Sequence, residues 1–158
     1  MWRCWWAGGG GWRFLGLFAA CGRLWGSVRL DPDGLEPRVG DDERDAVAVA
    51  RMRTTGCALI GKSNMSELAF SGVGLNPHHG TPAHPHDAAR ITGGSSSGSA
   101  SAVSNRLCDF ALGTDTGGSV RAPASHCGLV GLRPTHGRVS LADTLDLAPS
   151  QDTCGWFT

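Results

Sequence analysis

Apolar positions in this chain fall into short periodic stretches separated by long runs of glycine, serine and proline. Over residues 42–55, Val47, Ala50 and their neighbours recur among Arg51 and Arg53 at a spacing that suits an amphipathic helix. Acidic residues sit in its first turn and Gly56 follows it, the charge and stop signals expected at helix ends. Residues 57–60 (Cys-Ala-Leu-Ile) form a continuous apolar run short enough for a buried strand. Residues 63–70 predict a second helix, with Asn64 and Glu67 spaced as a capping pair. Residues 71–92, rich in Pro, His and Gly, predict a loop. A helix is expected over 100–107, with extended segments over 109–113 and 129–133. Helix and strand alternating in this order imply an α/β protein with a mostly parallel or mixed sheet flanked by helices.

Residues 1–40 share neither rhythm. Five of the six tryptophans lie within the first 25 residues, beside a glycine run at 8–11. The apolar run at 14–21 is too short to span a bilayer. Arg3 and Arg13 ahead of it hint at a signal peptide, but the apolar region is interrupted. We therefore expect residues 1–40 to be a separate, weakly ordered or misread segment, and a domain to occupy 41–158.

Fourteen basic side chains balance fourteen acidic ones, without long runs of either sign. No footprint for nucleic acid or polybasic membrane patch is present. Six cysteines, Cys4, Cys21, Cys57, Cys108, Cys127 and Cys154, are scattered without a Cys-x-x-Cys pair and read as reduced thiols. Thirteen of the basic residues are arginine and one, Lys62, is lysine. Any chemistry that needs a neutral amine base thus has one lysine in these 158 residues.

Two motifs lose their appeal on inspection. Residues 56–63 match the phosphate-loop pattern Gly-x-x-x-x-Gly-Lys-Ser, yet the four intervening residues are the apolar strand itself. A strand cannot curl into an anion nest. His78, His79, His84 and His86 lie beside Asp87 in a loop stiffened by Pro82 and Pro85, with no ligand placed by helical spacing. They read as a solvated or substrate-facing loop, with no metal.

The chemistry lies in two glycine-serine segments, residues 92–100 and 113–123. Each delivers serines on a Gly-rich turn at the start of a predicted helix, where free N–H groups can stabilise an oxyanion. Flexible linkers share this composition, but both segments run directly into apolar elements.

Residues 61–70, Gly93–Ser99, Asp115–Ser119, 127–135 and 137–140 together resemble the amidase signature family, over a stretch from about Asp45 to the end of the chain. The 24 residues between Ser95 and Ser119 agree with the family register. The resemblance implies an amidase-signature α/β fold, present in part. It implies that Ser119 attacks an amide carbonyl to give an acyl-enzyme. Ser95, joined to Gly94 by a cis peptide, would relay the proton. N–H groups from Thr116, Gly117, Gly118 and Ser119 would form the oxyanion hole, with Asp115 and Arg121 as a supporting pair. The partner implied is a small-molecule amide, with no cofactor, no metal, no nucleic acid and no membrane; a homo-oligomer and a cytoplasmic location are further expectations.

One part of the family's machinery is missing. A serine hydroxyl needs a base, and in the family this is a buried lysine in a Gly-x-Lys-Asp type segment on an earlier strand. Lys62 instead fits a second, downstream lysine, 33 residues before Ser95. Two other readings stand beside the amidase: the glutamine-hydrolysing subunit of a tRNA-dependent amidotransferase, and a non-catalytic relic of the fold.

Overall fold

In the computed structural model residues 45–158 are described in full, and before them only the backbone of Leu17–Cys21, Val28–Leu30 and Pro37–Val39. These three segments are strands β1, β2 and β3, followed by α1 (Val47–Thr54), β4 (Ala58–Ser63), α2 (Ser97–Ser104), β5 (Phe110–Thr114), α3 (Arg121–Cys127), β6 (Gly131–Leu132) and β7 (Cys154–Phe157). Five strands form one sheet in the order β4-β1-β5-β7-β6. β1 is parallel to both β4 and β5, and β7 is antiparallel to both β5 and β6. The sheet is mixed, and the expected α/β class holds. β2 and β3 pair as a separate antiparallel ribbon.

Alternation along β5 divides the core. Leu112 faces one side with Cys154, Ala46 and Val49, against which Met52, Leu59 and Trp156 pack. Ala111 faces the other with Phe157, Ala100, Val103, Val120 and Ala124. Thus α1 covers one face, and α2 and α3 the other.

Several expectations need correction. The first helix is shorter than residues 42–55, starting at Val47. The strand expected at 57–60 runs on to Ser63, because β1 pairs with it to that residue. This also removes the second helix: residues 63–70 contain only the 3-10 turn Glu67–Ala69, with Leu68 and Ala69 at φ 49° and 62°. Asn64 caps nothing there. Its Nδ2 donates to the Gly80 carbonyl at 2.6 Å, tying down the loop that follows. α2 begins three residues before its expected start at Ala100, and β6 is a two-residue remnant of the segment expected over 129–133. β7 has no counterpart among the expected elements.

The largest correction concerns β1. Leu17–Cys21, inside the segment expected to be weakly ordered, lies between β4 and β5 as an inner strand of the sheet. A short, continuous apolar run is what an inner parallel strand requires, since both of its faces are covered. The remaining expectations for residues 1–40, the signal-peptide question among them, lie outside the described residues.

Candidate active site

The parallel strands β4, β1 and β5 end at one edge of the sheet, the usual place for a site in an α/β fold. Two segments meet there. Residues 93–97 lead into α2, and residues 115–120 connect β5 to α3. Ser96 N–H donates to the Ser119 carbonyl at 3.2 Å, and the Ser96 hydroxyl brackets Thr114 through both its N–H and its carbonyl at 3.3 Å. Two segments far apart in sequence are thereby stitched side by side.

The peptide bond between Gly94 and Ser95 is cis. Gly94 has no room for a side chain, since a Cβ would come within 2.7 Å of Ser66 Oγ and of the Ser71 carbonyl. Ser66 N–H donates to the Ser95 carbonyl at 2.9 Å, and Gly94 N–H to the Gly72 carbonyl at 2.7 Å. The Ser95 backbone is thus fixed from both sides. Its hydroxyl is fully buried and has no hydrogen-bond partner among the described residues, which leaves it available to a proton or a reacting group. Ser119 is half-buried. Among the described residues its hydroxyl has no partner either.

Asp115 organises the turn between them. Its carboxylate is completely buried and accepts from the N–H groups of Gly118 (2.9 Å), Val120 (3.1 Å) and Arg121 (3.2 Å). Arg121 adds Nε at 3.1 Å and Nη2 at 3.0 Å, so the pairing expected from sequence is formed. Burial by itself would push the carboxyl up. The Arg121 side chain, the Val120 N–H, Arg133 and the Arg121 N–H outweigh it and hold the pKa at about 2. Of the four N–H groups from Thr116 to Ser119, Gly118's is committed to Asp115, while those of Thr116, Gly117 and Ser119 have no acceptor among the described residues.

Sequence reasoning missed two residues of this network. Arg133, just past β6, donates through Nη1 to the Asp115 carboxylate (2.8 Å), the Asp115 carbonyl and the Thr116 carbonyl (3.0 Å), and through Nη2 to the Gln151 carbonyl (2.7 Å). Asp152 is buried, accepts from the Thr116 hydroxyl and takes the N–H groups of Leu147 (2.7 Å) and Ala148 (3.0 Å). The available signal was a charged residue standing close against an apolar strand in each case, Arg133 after Leu132 and Asp152 two before Cys154.

The other motifs end up in structural roles. Residues 58–63 of the phosphate-loop pattern are strand β4. His84 is buried, with Nε2 on the His126 carbonyl at 2.9 Å and Nδ1 accepting from the N–H groups of His86 and Asp87 at 3.2 Å. His78 stands 3.2 Å from Glu67. Burial pushes the Cys127 thiol up to about 11, consistent with an inert core thiol. No helix among the described residues is long and apolar enough to cross a membrane.

Comparison with known proteins adds an independent line. A family model described as Amidase matches residues 36–158. Amidase 1 of Arabidopsis thaliana is 52% identical over 112 residues, 71% of this chain and 26% of that protein. Amidase 1 of Oryza sativa subsp. japonica is 44% identical over 142 residues, 90% of this chain and 32% of that protein. Among solved structures, a glutamyl-tRNA(Gln) amidotransferase component from Thermotoga maritima superimposes with a TM-score of 0.80 at 36% identity, covering 90% of this chain and 32% of that one. The chain spans about a third or less of the length of these relatives.

Proposed function

This chain belongs to the amidase family, and from that premise we propose that it carries the nucleophile half of an amide-hydrolysing site. Ser119 Oγ attacks the carbonyl carbon of a carboxylic amide, and Ser95 Oγ passes its proton onward. The C–N bond then breaks as the amine takes up a proton, leaving an acyl group on Ser119 that water removes. Negative charge on the former carbonyl oxygen falls to the N–H groups of Thr116, Gly117 and Ser119, each worth about 3 kcal/mol in a transition state. Gly118 has a different task, because its N–H supports Asp115. The observation that carries this reading is the Ser96 N–H to Ser119 carbonyl bond, which sets the two serine segments together.

The base is the element not found among the described residues. Among the described residues nothing is hydrogen-bonded to the Ser95 or Ser119 hydroxyl. β1 (Leu-Phe-Ala-Ala-Cys), the strand lying before β4 and beside β5, contains no lysine. We therefore assign nucleophile, relay and oxyanion donors, but no base, among the described residues.

The test is acylation by p-nitrophenyl acetate followed by peptide mapping. An acetyl group on Ser119, absent in Ser119→Ala, is the expected result. Acetyl groups confined to Lys62 and the thiols would overturn the assignment. Similarity to the Thermotoga maritima protein favours one second reading, glutamine hydrolysis within a tRNA-dependent amidotransferase. Ammonia release from glutamine that appears only with a partner protein would support it.

A further inference from the structure

The reading of residues 116–119 as an oxyanion turn leaves a physical problem. N–H groups without acceptors aim at a substrate only if something else fixes their peptide planes. In a trans peptide the carbonyl of one residue and the N–H of the next point in opposite directions. Holding the carbonyl therefore aims the N–H. The Gly118 carbonyl accepts from Ala122 N–H at 2.7 Å, so helix α3 itself orients the Ser119 N–H. The planes aiming Thr116 and Gly117 lie outside any helix and need another anchor.

We propose that Arg133 is that anchor, a positioning residue that aims the Thr116 and Gly117 N–H groups toward the site. One guanidinium nitrogen, Nη1, reaches both the Asp115 and the Thr116 carbonyls, the acceptor ends of the two planes concerned. The Asp115 carbonyl is also held by Thr153, through its N–H at 3.1 Å and its hydroxyl at 2.7 Å. For the Thr116 carbonyl, Arg133 is the one donor among the described residues. The guanidinium is fixed in turn by the Asp115 carboxylate and by the Gln151 carbonyl. Asp152 completes the clamp by taking the Thr116 hydroxyl. Gly117, with no side chain and an exposed backbone, depends most on this hold. Arg121 serves as the contrast, since among the described residues it bonds the same carboxylate and no carbonyl.

This inference rests on the oxyanion reading, and its test separates the two. In the unaltered chain, the ¹⁵N order parameters of Thr116 and Gly117 should sit near the rigid value of about 0.85 and fall below about 0.6 in Arg133→Met. They should recover in part in Arg133→Lys and stay high in Arg121→Met. The second readout is binding of phenylboronic acid. The serine oxygen forms a bond to trigonal boron, its proton leaves to solvent, and a tetrahedral anion remains with both boron hydroxyls retained. Its affinity should drop roughly 10- to 100-fold in Arg133→Met, and far less in Arg121→Met. Unchanged order parameters in Arg133→Met, or an equal loss in both variants, would overturn the role of Arg133. Failure of the unaltered chain to form an adduct that Ser119→Ala removes would overturn the oxyanion reading, and the order parameters would still decide whether Arg133 holds the turn.

Discussion

Asp115 gathers three backbone N–H groups and two arginines around a carboxylate with no solvent exposure. Its pKa of about 2 lies below the ordinary 3.8. A lowered folded-state pKa stabilises the fold fully above the unfolded value, and the contribution is lost as pH falls through the folded one. Urea unfolding measured from pH 6 down to pH 2 should therefore show about 2 kcal/mol of stability disappearing below pH 4 on account of this residue. Asp115→Asn should be less stable at pH 6 and lose correspondingly less over the same range. An equal acid loss in both proteins would show that the carboxylate is not held as described. At this scale part of the candidate site was legible in the sequence. Glycine and serine concentrated in two segments mark the region, and the family resemblance picks out Ser95, Ser119, Asp115 and Arg121 within it. Arg133 and Asp152 do not stand out, since their partners are mostly backbone groups that no side-chain pattern reveals.

Among the elements, α2 shows why hydrophobic periodicity has limits. Its first turn is Ser97, Gly98, Ser99 and Ala100, all buried, yet no apolar stripe marks it. Small residues are needed because the helix lies directly on neighbouring backbone. Gly98 N–H donates to the Asn64 carbonyl at 2.9 Å, and a Cβ on Gly98 would come within 2.4 Å of Asn64 N. Ser99 spends its hydroxyl on the Leu112 carbonyl at 2.8 Å and on Ser63 at 2.7 Å, fastening the helix to β5 and β4. Helix propensity favours alanine over glycine by about 1 kcal/mol, whereas forced overpacking costs about 1–3 kcal/mol. Gly98→Ala should therefore destabilise the protein by denaturant unfolding; a gain in stability would contradict the close approach. The same limit explains the strands. β7 is four residues long with a glycine inside it, and β1 is an unalternating apolar run whose strand character comes from having neighbours on both sides.

For the whole molecule, the α/β class was legible because helices and strands alternate between residues 45 and 133. The sheet order was not, since β1 and β7 enter it from the two ends of the chain and join through pairing that no local pattern encodes. That arrangement sets the chemistry. The serine segments lie where β4 and β5 end, and β1 lies between those strands without a lysine. The central claim is therefore the proposed one, a nucleophile and its oxyanion donors brought together with no base among the described residues. The pH dependence of Ser119 acylation by p-nitrophenyl acetate, followed by mass spectrometry between pH 6 and 9, tests it most directly. A hydroxyl deprotonated only by hydroxide should acylate about tenfold faster per pH unit across the whole range, and only at Ser119 among the serines. A plateau within that range would reveal a base within the chain, and an acyl group on any serine other than Ser119 would contradict the assignment of the nucleophile.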